Sequence, residues 1–267
     1  MGYTDIKRGN PNKDTKIIAV INQKGGVGKS TTAINLGAAL GEAKKKVLVI
    51  DFDPQGNTTS GFGIEKDSLD VDIYDVLLHD EDIKSSICDT VAKNVFVIPA
   101  TIQLAGAEIE LVSVMARESV LKSKLDEIAE EFDYVFIDCP PSLGLLTVNA
   151  LVAAKSLLIP IQCEYYALEG LSQLLNTVKT IKRMYNPSID LEGVVLTMFD
   201  SRLNLTQQVV AEVKRYFPNK VFETAIPRNV RLSEAPSFGM PVLYYDRGSK
   251  GSMAYIALAR ELIKKNR

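Results

Sequence analysis

Short apolar runs recur along the chain at Ile17–Ile21, Val47–Ile50, Val95–Ile98, Tyr134–Ile137, Leu157–Pro160, Val194–Thr197 and Val221–Phe222, most of them without polar alternation. A strand with one wetted face alternates with a period of two, so continuous runs predict strands covered on both faces. Between them lie segments of helical length: Ser30–Ala43, Ile102–Phe132 (read as two helices), Leu168–Met184, Leu205–Phe217 and Met253–Lys265. This alternation predicts an α/β fold, with a mostly parallel twisted sheet flanked by helices on both faces.

The opening stretch Met1–Thr15 is polar and punctuated by Gly9 and Pro11, so a flexible tail is expected over 1–15 and one folded domain over 16–267. No internal repeat or long linker follows, and 267 residues can be built around one core. Hydrophobic residues make up 46% of the chain, which excludes a mainly disordered protein. The 31 Lys+Arg stand against 33 Asp+Glu, so binding to nucleic acid would need a local basic patch. Cys88, Cys139 and Cys163 are too widely spaced for a metal cassette, and a reducing cytoplasm is the simplest setting for them. His79 stands alone in an acidic stretch and receives no role. With no leader and no apolar run of about 18 residues, neither export nor a membrane span is expected.

The first apolar run leads directly into Asn22-Gln23-Lys24-Gly25-Gly26-Val27-Gly28-Lys29-Ser30-Thr31 and then a helix. In a strand, glycine-rich loop and helix of this kind, backbone N–H groups and a helix N-terminus surround phosphates. Gly25, Gly26 and Gly28 permit close backbone approach, Lys29 would reach the β- and γ-phosphates, and the Ser30 hydroxyl would ligate Mg²⁺. Gln23 stands where the general pattern has its first glycine, and Lys24 adds a second lysine. Lys24 is either an exposed surface lysine or a cation that neutralises phosphate across a two-fold interface.

Two further strands deliver carboxylates to the same sheet edge. One ends in Asp51-Phe52-Asp53-Pro54-Gln55-Gly56-Asn57, the other in Asp138-Cys139-Pro140-Pro141. A carboxylate at a buried strand end is costly unless it meets a cation, so Asp138 is the Mg²⁺ candidate, through water. Asp53 is the candidate for orienting an attacking water, and Asp51 lies nearer the metal or Ser30. Both aspartates also suit a helix cap or turn.

Together with Gln162–Gly170 and Ile226–Ser237, these segments resemble the deviant Walker A ATPases, and within them the ParA/Soj partition proteins, from about Lys16 to the C-terminus. Ser30 stands where that family usually has threonine, which keeps the hydroxyl. The resemblance implies a P-loop NTPase fold with ATP and Mg²⁺ as cofactors and an ATP-bound homodimer with Lys24 crossing the interface. It further implies non-specific double-stranded DNA binding, nucleoid association and weak hydrolysis stimulated by a ParB/Spo-type centromere-binding protein. By position, Val27 belongs to the phosphate loop, Thr31 contacts the α-phosphate and Asp53 is the hydrolytic aspartate. Pro227 and Asn229 fall at the adenine, and Arg202 and Arg231 at DNA, with Lys250 as a further candidate. From charge alone these three are equally solvated surface residues.

A division-site ATPase of the MinD kind, held on a membrane by a detachable amphipathic helix, is the alternative; a non-hydrolysing nucleotide-binding scaffold is another. Met253–Lys265 is amphipathic, but Tyr255, Leu258 and Leu262 at helical spacing favour docking on the sheet, so no stable membrane association is expected.

Overall fold

The computed structural model describes residues 14–164 and 171–266. The chain runs β1 (Lys16–Val20), α1 (Lys29–Glu42), β2 (Val47–Asp51), α2 (Asn57–Gly61), α3 (Ile73–Leu78), β3 (Cys88–Asp89) and β4 (Val95–Ile98). It continues through α4 (Leu104–Glu110), α5 (Val120–Asp126), β5 (Tyr134–Asp138), α6 (Leu145–Ala153) and β6 (Ser156–Gln162). The last part holds α7 (Leu171–Met184), β7 (Asp190–Thr197), α8 (Asn204–Tyr216), α9 (Val230–Glu234), α10 (Val242–Tyr245) and α11 (Lys250–Lys265).

The strands form one 7-stranded sheet, ordered β3-β4-β2-β5-β1-β6-β7. All of its strand pairs are parallel except β3 with β4. Every strand but the edge strand β3 feeds two cores. Ile17, Ala19, Leu48 and Ile50 face α3 to α8, while Ile18, Val20, Val47 and Val49 face α1 and α11. Successive residues thus enter opposite apolar layers, which is why the sequence shows no polar alternation.

Some expectations are corrected. Val221–Phe222 is not a strand: Val221 makes one isolated bridge to Val194 before the chain turns irregular toward Pro227. The Ile102–Phe132 stretch holds two helices as expected, α4 and α5, with a short 3-10 turn over Leu111–Ser113 between them. α6 was not foreseen, because it is apolar almost all round and begins at a glycine. α11 starts at Lys250, three residues before Met253, because the Ser249 side chain accepts the Ser252 N–H as an N-cap. Thr15, placed at the end of the expected tail, is buried, and its hydroxyl donates to the Ala129 and Phe132 carbonyls, each at 2.9 Å. Residues 1–13 of the expected tail and 165–170 of the Gln162–Gly170 motif lie outside the described residues.

Tyr255, Leu258 and Leu262 of α11 are buried against α1, and the Tyr255 hydroxyl lies 3.1 Å from that of Thr32. No helix among the described residues is long and apolar enough to cross a membrane. For the site, the decisive feature is register. β5 pairs with both β1 and β2, setting Val20 and Asp51 opposite Asp138, so the loops after these strands meet at one edge. Ligands of open parallel sheets bind at such a carboxyl edge.

Candidate active site

The loop after β1 is braced by bonds from its own chain. Asn22 donates to the Pro160 carbonyl at 2.8 Å and accepts the Lys24 N–H at 3.0 Å, and the Thr197 hydroxyl donates to the Val27 carbonyl at 2.8 Å. Gly26 and Gly28 have φ of 73° and 92°, a region open to glycine and strained for other residues. Gly28 caps α1 with no side chain, which leaves the first helical N–H groups facing a cleft of about 750 Å³. Gly25, Gly26, Gly28, Lys29, Ser30 and Thr31 line one side of it, Pro227 and Asn229 another, and Asp53 also borders it. Val27 is buried beneath the loop and does not line the cleft.

The two lysines have separate surroundings. Lys29 is only 7% exposed, with its ammonium 3.2 Å from the Lys24 carbonyl. Burial pushes its pKa down, while the negative charge of Asp138 and Asp53 pulls the other way. Lys24 stands on the rim, and its ammonium pairs with Glu164 of its own chain. It is not part of the cleft that Lys29 serves.

The carboxylates are equally distinct. Asp138 is fully buried; its Oδ2 accepts the Thr58 hydroxyl at 2.7 Å and its Oδ1 has no hydrogen-bond partner. Burial raises its pKa, against the lowering effect of the Ser30 and Thr58 hydroxyls and of Lys29. Asp51, the other carboxylate expected near the metal, lies opposite Asp138 in the β2–β5 register and also binds the start of α2. Its Oδ2 accepts both the N–H and the hydroxyl of Thr59 at 2.7 Å, and its Oδ1 accepts the Asp53 N–H at 3.3 Å. These bonds tie down the first turn of α2, and neither Asp51 nor Asp138 is part of the cleft lining. Asp53 does two things: its Oδ1 accepts the Gln55 N–H at 3.0 Å, forming a turn, and its side chain borders the cleft.

Residues 15–191 match the family model described as an AAA domain. The chain is 58% identical over 247 residues to the sporulation initiation inhibitor protein Soj of Bacillus subtilis, covering 92% of this chain and 98% of that one. The chain belongs to the Soj/ParA family of partitioning ATPases. Chromosome partitioning protein ParA of Myxococcus xanthus is 55% identical, over 94% of this chain and 89% of its own. A solved structure titled cobyrinic acid a,c-diamide synthase from Mycobacterium smegmatis, with bound ATP analog and magnesium, matches at TM-score 0.86 and 38% identity. That match covers 95% of this chain and 96% of the other.

This chain is a Soj/ParA-type P-loop ATPase, and bound magnesium is a feature of the solved structure at 38% identity. The donor set fits the ion: the unpartnered, buried Oδ1 of Asp138 lies at the loop that carries the Ser30 hydroxyl, a hard-oxygen environment suited to Mg²⁺. Three supports of the ATPase site escaped the sequence reading. Thr58, Thr197 and Glu164 act through partners far along the chain, and no local pattern marks them. The basic candidates are exposed. Arg202 is held bidentate by Asp200 at 2.8 and 2.6 Å, Arg231 pairs with Glu234 at 2.7 Å and Asp246 at 3.3 Å, and Lys250 opens α11.

Proposed function

We propose that this ATPase pairs through its nucleotide and, as an ATP-bound homodimer, holds double-stranded DNA without sequence preference for chromosome or plasmid segregation. Lys24 carries the proposal. Lys29 already serves the cleft of its own chain, while Lys24 is one-third exposed and, among the described residues, its ammonium pairs with Glu164, a contact it can exchange for a phosphate in a facing copy.

In this reading Lys29 holds the β- and γ-phosphates, Thr31 the α-phosphate, and Pro227 and Asn229 the adenine. Ser30 and Asp138 are the residues that would hold magnesium, which supplies charge neutralisation at the phosphates when bound. Asp53 orients the attacking water. Arg202, Arg231 and Lys250 meet DNA phosphates, and a ParB-type partner accelerates an otherwise slow turnover. The names of the relatives at 58% and 55% identity support partition over the different name carried at 38%.

The test is mass in solution with a non-cleavable ATP analogue and magnesium, followed by co-sedimentation with duplex DNA and with liposomes under ATP, ADP or no nucleotide. A dimer that Lys24→Ala abolishes, with DNA captured under ATP, is the expected result. A protein that stays monomeric overturns the proposal; lipid capture would favour the division-site reading, and neither capture a scaffold.

A further inference from the structure

The loop from Cys139 to Gly144 joins buried Asp138 to α6 and contributes Pro141 to the nucleotide cleft. Its far end has no cap of its own, since Gly144 precedes α6 without a side chain. The cap comes from another helix. Glu108 on α4 accepts the Leu145 N–H on Oε2 at 3.0 Å and the Leu146 N–H on Oε1 at 3.2 Å, so a whole carboxylate satisfies two otherwise orphaned donors. A Cβ on Gly144 would lie 2.3 Å from both carboxylate oxygens, so the glycine leaves the space that Glu108 occupies.

The frame that carries Glu108 also holds the other nucleotide-facing loop. Just before α4, the Ala100 N–H donates to the Thr59 hydroxyl at 2.9 Å, and Thr59 in turn anchors the start of α2 on Asp51. Thr101 is fixed to Asp72 through its N–H at 3.1 Å and its hydroxyl at 2.6 Å. Leu104 and Ala107 of α4 are fully buried. One short rigid segment thus grips the helix after the Asp53 loop and the helix after the Asp138 loop.

We propose that Glu108 is a positioning residue for ATP hydrolysis, tying the 139–144 loop to the frame that also holds the Asp53 loop. Its role is to keep the two loops in register across the cleft, and capping α6 is only the means. This rests on the ATPase activity, and not on DNA binding or dimer architecture.

A local replacement cap separates the two roles. Gly144 has φ −78° and ψ −167°, an extended conformation in which serine caps helices, and Glu108→Ala clears the space for its side chain. We expect Glu108→Ala to lower both the thermal midpoint of the nucleotide-free protein and kcat, the latter on the order of tenfold, with ATP affinity unchanged. Glu108→Ala combined with Gly144→Ser should recover the midpoint while kcat stays low. Recovery of kcat together with stability would reduce Glu108 to a cap and overturn the proposal. So would an unchanged kcat in Glu108→Ala, or a loss of ATP affinity that matches the loss of rate. Should the single variant not fold, the double variant decides alone: reduced kcat at normal ATP affinity supports positioning, and wild-type kcat refutes it.

Discussion

Asp53 shapes its own turn through Gln55 and faces the cleft with the same side chain, so removing it leaves Lys29 and the glycine loop intact. Asp53→Ala should therefore bind ATP normally while hydrolysis is lost, as measured by nucleotide binding and by phosphate release from the same preparation; unchanged turnover would refute the role. Asp51 and Asp138 lead to a pH prediction. Burial raises both pKa values, so the nucleotide-free fold binds protons more tightly there than the unfolded chain does. Their contribution to stability is fully present below the ordinary carboxylate range and declines as pH rises toward neutrality. Thermal midpoints of the free protein should reflect that decline, and Mg-ATP should flatten it by supplying a cation. At this scale the glycines, Lys29 and Asp53 were legible because loop chemistry is local. The bonds of Asp51 to the N–H and hydroxyl of Thr59, both 2.7 Å, were not legible, because their partner is set by the turn into α2.

Among the elements, α11 shows how a pattern that suits two environments is settled by contact. The spacing of Tyr255, Leu258 and Leu262 could serve a lipid surface or a protein core, and here it closes over α1. Leu258 is fully buried, so Leu258→Ala should cost about 2–5 kcal/mol in denaturant unfolding. A surface-bound helix would lose almost nothing on that measure. α6 was illegible for the opposite reason: a helix apolar on nearly every side has no period to detect, and its cap resides on α4.

For the whole molecule, the near balance of charge means that the proposed DNA binding would rest on a few exposed arginines, of which Arg202 is held by Asp200. Arg202→Ala should weaken binding to all duplex sequences alike and lower the salt slope by about 0.9 for each phosphate left without its cation, with ATP-dependent pairing retained. Filter binding across a salt series checks this, and an unchanged slope would place the patch elsewhere. The sequence by itself determined the doubly covered parallel sheet, the phosphate loop and the strand-end carboxylates, because these follow from hydrophobic runs and from glycine and capping chemistry within a few residues. Tertiary structure alone decided that β5 would lie between β1 and β2, that Asp138 would pair with the Thr58 hydroxyl and Asp51 with Thr59, and that Glu108 would cap a helix 37 positions away. Those outcomes depend on strand order and on packing between distant segments, which are set by how the whole core assembles and leave no trace in local composition.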